Sequence, residues 1–246
     1  MKISVITIVR NGEAHIERTI KSVLAQQHKD IEYIFLDGAS TDRTVEIANQ
    51  YRSHFAVFVS EPDKGISDAW NKALKLATGD VIALLNAGDE YYPDTLSTAL
   101  AGIQAGADMV FGDTELVSEA GDVRLFNKGK FHLWRYSSGV GLYHPSVVAR
   151  KSLYDSIGSF ETKQKYAMDT DWMIRAAVSG AKIRHCNYRV RMLDGGVSVK
   201  NRFLAYGEHI QALQDRGAGE RTVYLSMLAT GLRGLVRNLL KGDRQF

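Results

Sequence analysis

The chain has 246 residues, of which 45% are hydrophobic and 24% are charged, as is usual for a soluble globular protein. Its net charge of +3, from 31 basic and 28 acidic residues, is too small to predict a nucleic-acid partner. The single cysteine excludes a disulfide within the chain and fits a reducing compartment. No stretch approaches the roughly 18 apolar residues of a membrane span, and the N-terminus resembles a strand rather than a signal peptide. These features predict a cytoplasmic protein.

The first half of the sequence alternates strand and helix patterns that are joined by short loops. Short apolar or β-branched runs predict strands over 3–9, 32–36, 55–59, 80–85 and 108–112. Helical spacing of apolar residues fills the intervals, with Ser40 or Thr41 as the predicted cap of the second helix and Ser67 as that of the third. Pro93 suits the first turn of the fourth helix. This alternation predicts a mostly parallel sheet with right-handed crossovers.

The second half adds antiparallel elements to this sheet. The pattern predicts a hairpin over 115–126, a strand and short helix over 144–154, a helix over 169–179 and a strand over 181–186. No linker separates the halves, so we predict one α/β, Rossmann-like domain over 1–220, followed by an amphipathic helical tail over 221–246.

An acidic tip follows the strand predicted over 80–85. The residues are Asn86, Ala87, Gly88, Asp89 and Glu90. Ligands of open α/β sheets bind at the carboxyl ends of the strands, so we expect Asp89 to lie in the functional site.

Three ordered blocks of the sequence resemble the glycosyltransferases of family 2. They are ITIVRNGEAHIERTIKSVLAQQHKDIEYIFLDGASTDRT from residue 6, SEPDKGISDAWNKALKLATGDVIALLNAGDEYYPDTL from residue 60, and YAMDTDWMIRAAVSG from residue 166. The blocks span about residues 1–200, which makes them more specific than any single motif. The resemblance implies a GT-A-type fold, inverting sugar transfer from a nucleotide-sugar donor, and a divalent metal, Mn²⁺ or Mg²⁺.

The resemblance assigns the metal to Asp89. Of the family's acidic motif, the matching stretch Asn86–Asp89 keeps only the last carboxylate. One carboxylate can still hold Mg²⁺, because that ion takes one or two protein oxygens and completes its shell with phosphates and water. Asp89 lies too far upstream of the helix after Pro93 to be its N-cap.

The resemblance assigns the general base to Asp169, which would take the proton of the acceptor hydroxyl. The alternative for Asp169 is a helix N-cap, because it begins a predicted helix. Asp171 is the rival base, but residues two apart on a helix do not share a face.

The resemblance also implies donor contacts, with the peptide groups near residues 7–10 lining the nucleotide pocket and Asp37 contacting the base. Lys64 and Asp68 lie on the loop expected to cover the diphosphate or ribose; the alternatives are a solvated lysine and a helix-dipole contact. The predicted donor-binding residues are Thr7, Val9, Arg10, Asn11, Asp37, Lys64, Asp68, Asn86 and Gly88.

Three further residues are predicted to contact the acceptor. Asp113 and His144 are expected at strand ends on one rim of the sheet, although a lone histidine is more often structural. Trp134 lies in a basic and aromatic stretch, where it could stack on a sugar or simply pack in the core.

The tail has leucines three or four residues apart and basic residues over 222–244, a composition typical of an interfacial helix. The alternative is a leucine stripe that packs on the domain or on a partner chain. With lipid contact, the protein would be peripheral at the inner face of the membrane.

Two functions remain open from the sequence. The first is a transferase that acts on a glycan or polyprenyl-linked acceptor in cell-surface polysaccharide synthesis. The second, suggested by the depleted acidic motif, is a non-catalytic nucleotide-sugar-binding protein. A dehydrogenase and a P-loop phosphotransferase are excluded, because the sequence has neither glycine fingerprint.

Overall fold

A computed structural model describes residues 1–131 and 141–216. In chain order, the strands are β1 (Ile3–Val9), β2 (Ile31–Asp37), β3 (Val57–Ser60), β4 (Val81–Leu84), β5 (Glu90–Tyr91), β6 (Met109–Val117), β7 (Val123–Asn127), β8 (Val147–Arg150) and β9 (Ile183–Leu193). The helices are α1 (Ile16–Leu24), α2 (Thr44–Asn49), α3 (Ile66–Leu76), α4 (Thr95–Gln104), α5 (Lys151–Ile157), α6 (Met168–Val178), α7 (Val197–Lys200) and α8 (Arg202–Asp215). Short 3₁₀ turns lie at Arg52–His54 and His144–Ser146.

The nine strands of the described residues form one sheet in the order β3-β2-β1-β4-β8-β6-β9-β5, with β7 beside β6. The strands β3, β2, β1 and β4 pair in parallel, and β6 pairs in parallel with β9. The strand β8 is antiparallel to both β4 and β6. The strand β5 pairs antiparallel with β9, and β7 pairs antiparallel with β6. A single α/β domain with a parallel first half and antiparallel additions is therefore confirmed.

Both faces of the sheet are buried, which explains why the central strands are continuous apolar runs. One core cluster packs helices α1 and α4 against the sheet. The other contains Trp70 of α3 and Trp172 of α6, together with residues of α5 and α8. Trp70 is 1% exposed and lies in this core.

Several predicted element ends are wrong. Helix α2 begins at Thr44, beyond the proposed caps Ser40 and Thr41. Helix α3 begins after Gly65, whose φ of +114° favours glycine, and Ser67 lies inside the helix. Pro93 precedes α4, whose N-cap is Asp94.

The strands of the second half are longer than predicted. Strand β6 runs beyond Asp113 because it pairs with β7 as well as with β9. Strand β9 extends from the predicted region to Leu193, and its last residues reach the acidic tip after β4.

Candidate active site

The turn after β4 positions Asp89. Gly88 has a φ of +103°, and its amide donates to the Thr19 hydroxyl at 2.9 Å. The same hydroxyl donates to the Asp89 carbonyl at 2.8 Å, and the Asp89 amide donates to the Asn86 carbonyl at 3.0 Å. Helix α1 therefore fixes the backbone of the acidic tip at the carboxyl edge of the sheet.

The Asp89 carboxylate is buried and is 4% exposed. Its Oδ1 accepts the Leu193 amide at 3.1 Å, and its Oδ2 lies 3.5 Å from His144 Nε2. Burial raises the pKa of Asp89 to about 8, although the Leu193 amide and the Arg18 charge lower it.

His144 lies between two carboxylates. Its Nε2 faces Asp89, and its Nδ1 lies 3.8 Å from Asp169 Oδ2. The imidazole also packs against Trp70, with ring centroids 5.2 Å apart. The His144 side chain is only 11% exposed. Burial lowers the pKa of His144 to about 3, so the ring is neutral at physiological pH.

Asp169 lies in the first turn of α6, and its side chain is 23% exposed. Its Oδ1 accepts the Thr170 amide at 2.8 Å, and burial raises its pKa. The rival Asp171 is fully buried and pairs with Arg175 at 2.9 Å and with Arg216 at 3.3 Å. Asp171 is thus occupied by structural ion pairs, while the Asp169 carboxylate remains partly open.

The carboxylate of Asp37 is buried and orders the loop after β2. It accepts the Ser40 amide at 2.9 Å and the Ser60 hydroxyl at 2.7 Å, and it also bonds the Ser40 hydroxyl. Asn11, whose φ is +52°, accepts the Thr41 amide at 2.9 Å. Asp37 and Asn11 therefore join the loops after β1 and β2 at the same edge of the sheet.

The side chains of the predicted β1 segment differ in exposure. Thr7 is fully buried and shares a hydrogen bond of 3.1 Å with the Tyr33 hydroxyl. Val9 is also buried, whereas Arg10 is exposed. The prediction for this segment concerns the peptide groups of residues 7–10 rather than these side chains.

The remaining predicted donor residues lie around α3. The Asp68 carboxylate accepts the Lys64 amide at 3.0 Å and lies 3.6 Å from Lys72 Nζ. The hydrogen bond from the Lys64 amide and the charge of Lys72 lower the pKa of Asp68, and burial offsets this lowering only in part. Asn86 accepts the Trp70 indole N–H at 3.2 Å, so α3 also supports the start of the acidic tip.

Asp113 belongs to a second cluster. Its Oδ1 lies 2.9 Å from His185 Nε2 and accepts the Gly129 amide at 3.0 Å. Among residues 1–131 and 141–216, its hydrogen bonds do not reach Asp89 or Asp169. Trp134 lies outside the described residues, as does the tail over 222–244.

The side chains around Asp89 provide only part of the ligand set that a divalent metal ion needs. The described part of the chain has no group of three or more His, Cys, Asp or Glu side chains arranged to hold a metal. Asp89 Oδ2 and His144 Nε2 nevertheless face each other, and His144 Nε2 has no hydrogen-bond partner within the described residues. A carboxylate oxygen suits Mn²⁺ or Mg²⁺ when substrate phosphates and water complete the shell, whereas an imidazole nitrogen favours a transition-metal ion over Mg²⁺.

A sequence model described as glycosyl transferase family 2 matches residues 4–158, and the chain belongs to this family. The family signal thus covers β1 to α5, including Asp89 and His144.

Sequence relatives agree with this assignment. A PGL/p-HBAD biosynthesis glycosyltransferase of Mycobacterium bovis is 30% identical over 178 residues, which cover 70% of this chain and 68% of the relative. An uncharacterized glycosyltransferase of Mycobacterium tuberculosis is 32% identical over 183 residues, with coverages of 72% and 69%.

Solved structures share the fold. TarS of S. aureus in complex with UDP-GlcNAc superposes with a TM-score of 0.68 at 21% identity, covering 91% of this chain and 69% of TarS. The mannosyltransferase PcManGT of Pyrobaculum calidifontis, in complex with GDP-Man and Mn²⁺, gives a TM-score of 0.69 at 15% identity, with coverages of 100% and 76%.

Proposed function

We propose that this chain is an inverting glycosyltransferase that moves a sugar from a nucleoside-diphosphate donor to a hydroxyl of a glycan or lipid-linked acceptor. The observation that carries the proposal is the convergence of Asp89, His144 and Asp169 at the carboxyl edge of the sheet. TarS with UDP-GlcNAc and PcManGT with GDP-Man support a nucleotide-sugar donor, because they share the fold.

In the proposed reaction, the acceptor hydroxyl attacks the anomeric carbon of the donor sugar. Asp169 takes the hydroxyl proton, the new glycosidic bond forms, and the bond to the diphosphate breaks from the opposite side. The nucleoside diphosphate leaves with the bonding electron pair. The raised pKa of Asp169 suits this role, because a stronger base accepts the proton more readily.

Asp89 and His144 are the residues proposed to hold a divalent ion, Mn²⁺ or Mg²⁺. When bound, the ion would supply positive charge that stabilises the departing diphosphate. Because the His144 imidazole is neutral, one of its two ring nitrogens carries no proton and can bind a metal ion. The peptide groups of residues 7–10, the Asp37 loop and the Lys64–Asp68 turn are proposed to bind the nucleotide.

The first test is a thermal-shift screen with UDP-N-acetylglucosamine, GDP-mannose and related nucleotide sugars, with and without Mn²⁺. A donor that binds the folded state raises the melting temperature. The same donors are then tested for release of nucleoside diphosphate, and the anomeric configuration of the product is read by NMR. A retained configuration would refute the inverting mechanism.

The alternative is a non-catalytic nucleotide-sugar-binding protein. The reduced Asn86–Asp89 motif and the buried, hydrogen-bonded Asp89 favour it. It predicts thermal stabilisation by a donor without nucleoside diphosphate release, so the same screen separates the two functions.

We also propose that the protein works in the cytoplasm, at the inner face of the membrane, in cell-surface polysaccharide synthesis. In the described ranges, no helix has the length and apolar content to cross a membrane. However, Phe203 is 79% exposed and Leu204 is 57% exposed, and both lie close in sequence to Lys200 and Arg202. Exposed apolar side chains beside basic ones favour contact with anionic lipid, as the tail over 222–244 also does.

Sedimentation with vesicles of phosphatidylglycerol or phosphatidylcholine tests this location. The full chain should pellet with the anionic vesicles, and Phe203→Glu should reduce the bound fraction. Val178→Glu is the matched control, because Val178 is 60% exposed at the end of α6. Equal pelleting of both variants, or no pelleting of the wild type, would refute contact through Phe203.

A further inference from the structure

Helix α8 holds the segment that leads into α6. The Glu208 carboxylate accepts three consecutive backbone amides, from Lys165 at 2.8 Å, Tyr166 at 2.8 Å and Ala167 at 2.9 Å. Both oxygens take part, since Oε1 binds the first amide and Oε2 binds the other two. Three such contacts from one side chain fix the path of the backbone rather than a single residue.

The sequence of α6 explains why this outside contact is needed. Ala167 occupies the N-cap position of α6 and makes no side-chain cap bond. Polar residues are preferred there because their side chains fix the first turn, and alanine cannot do so. Glu208 does not replace that cap, because it accepts the amides up to the N-cap residue Ala167 and none from inside the first turn. It instead holds the backbone that enters the helix, and a negative charge is favourable at a helix N-terminus.

The same segment is also tied to α3. The Ser67 hydroxyl donates to the Gln164 carbonyl at 3.1 Å. Asn71 donates to the Phe160 carbonyl at 2.8 Å and accepts the Phe160 amide at 2.9 Å. Thus α3 holds the segment 160–164, and α8 holds its last residues directly before the helix.

The position of the amides relative to Asp169 gives the contact its consequence. Ala167, the last residue that Glu208 holds, lies two residues before Asp169. Within the described residues, the hydrogen bonds of the Asp169 carboxylate come from Asp169 itself and from Thr170, and the carboxylate lies 3.8 Å from His144. Its place in the site therefore depends on where the backbone starts the helix.

We propose that Glu208 is a positioning residue for sugar transfer, which sets the start of α6 so that Asp169 faces His144 and the acceptor hydroxyl. The inference rests on the proposed function of Asp169 as the general base. Glu208 touches no reacting atom and acts only through the backbone.

Three variants test the proposal. Glu208→Ala removes all three contacts, whereas Glu208→Gln keeps the size and one acceptor oxygen. Asp215→Asn is the matched control on the same helix, because among the described residues the Asp215 side chain bonds the exposed Gln211 and no part of the segment that leads into α6. Nucleoside diphosphate release is measured from UDP-N-acetylglucosamine or GDP-mannose, whichever the wild type turns over.

Glu208→Ala should lower kcat by about 10- to 100-fold, because small displacements of a catalytic group cost rates of this order. The KM for the donor should change by less than about twofold, since none of the three amides that Glu208 holds belongs to the residues proposed to bind the nucleotide. Glu208→Gln should retain intermediate activity, and Asp215→Asn should match the wild type.

Amide hydrogen exchange provides a readout that does not depend on turnover. The amides of Lys165, Tyr166 and Ala167 should be protected in the wild-type protein and should exchange faster in Glu208→Gln. Rapid exchange of these amides in the folded wild type would refute the three hydrogen bonds to Glu208, even if Glu208→Ala failed to fold. Protected amides with unchanged kcat in a folded Glu208→Ala variant would assign Glu208 a structural role only. Absence of turnover in the wild type would instead count against the proposed function.

Discussion

Replacing Gly88 by alanine should separate backbone strain from damage to the site. Gly88 has a φ of +103°, a conformation that costs an L-residue about 1–2 kcal/mol. A Cβ at this position would lie 3.0 Å from Leu193 Cδ2 and 3.2 Å from Leu193 Cβ. Moving Leu193 away from the new methyl group should further lower the free energy of unfolding by about 1–3 kcal/mol, the usual cost of overpacking. The expected total loss is about 2–5 kcal/mol.

The crowded residue is the one that donates its amide to Asp89, so the strain acts directly on the proposed site. If Leu193 moves by a few tenths of an ångström, the 3.1 Å contact with Asp89 Oδ1 lengthens. We therefore expect Gly88→Ala to lose donor-dependent turnover by more than its loss of folded protein explains.

Gly106→Ala is the matched control. Gly106 has a φ of +93°, but nothing lies within 4 Å of its would-be Cβ. Gly106→Ala should lower the free energy of unfolding only by the backbone strain, about 1–2 kcal/mol, and should keep full turnover. Urea unfolding gives the two free energies, and nucleoside diphosphate release gives the activities. Equal stability losses together with equal activity would refute the argument.

Two further predictions concern stability at acid pH and metal binding. Burial raises the pKa of Glu32, but hydrogen bonds from Lys2, Ser4 and Thr78 outweigh it and lower the pKa to about 2, against 4.5 when unfolded. The ionised Glu32 side chain thus contributes about 3 kcal/mol to the free energy of unfolding above pH 4.5, and this contribution is lost as the pH falls towards 2. Glu32→Gln should be less stable by about that amount at pH 7, with the difference closing near pH 2; a constant difference in urea unfolding across this range would contradict it. His144→Ala should weaken Mn²⁺ binding by about tenfold or more in electron paramagnetic resonance titrations, and an unchanged affinity would exclude His144 as a ligand.

The parallel first half of the fold was predictable because its signals are local. Apolar runs such as Ile3–Val9 are buried on both faces, and short loops leave few ways to connect them. Exact element ends were less predictable, since side chains that resemble caps have other partners. Ser40 bonds Asp37, and Ser67 bonds the Gln164 carbonyl.

Within the candidate site, the sequence singles out only residues that carry a signal of their own. Asp89 and Asp169 could be singled out from their blocks, and the structure connects them through His144. The position of His144 between them depends on β8 lying beside β4, a pairing of distant segments that no local pattern reveals. The contacts of Glu208 cannot be predicted from the sequence for the same reason, because they join α8 to a segment about 40 residues earlier.

The most direct test of the site compares Asp169→Asn with Asp89→Asn in one set of measurements. Mn²⁺-dependent donor binding is followed by calorimetry, and transfer is followed by nucleoside diphosphate release. We predict that Asp169→Asn binds the donor with Mn²⁺ as the wild type does but loses transfer, whereas Asp89→Asn loses both. Full transfer by a folded Asp169→Asn variant, or unchanged Mn²⁺-dependent binding by Asp89→Asn, would contradict the assignment.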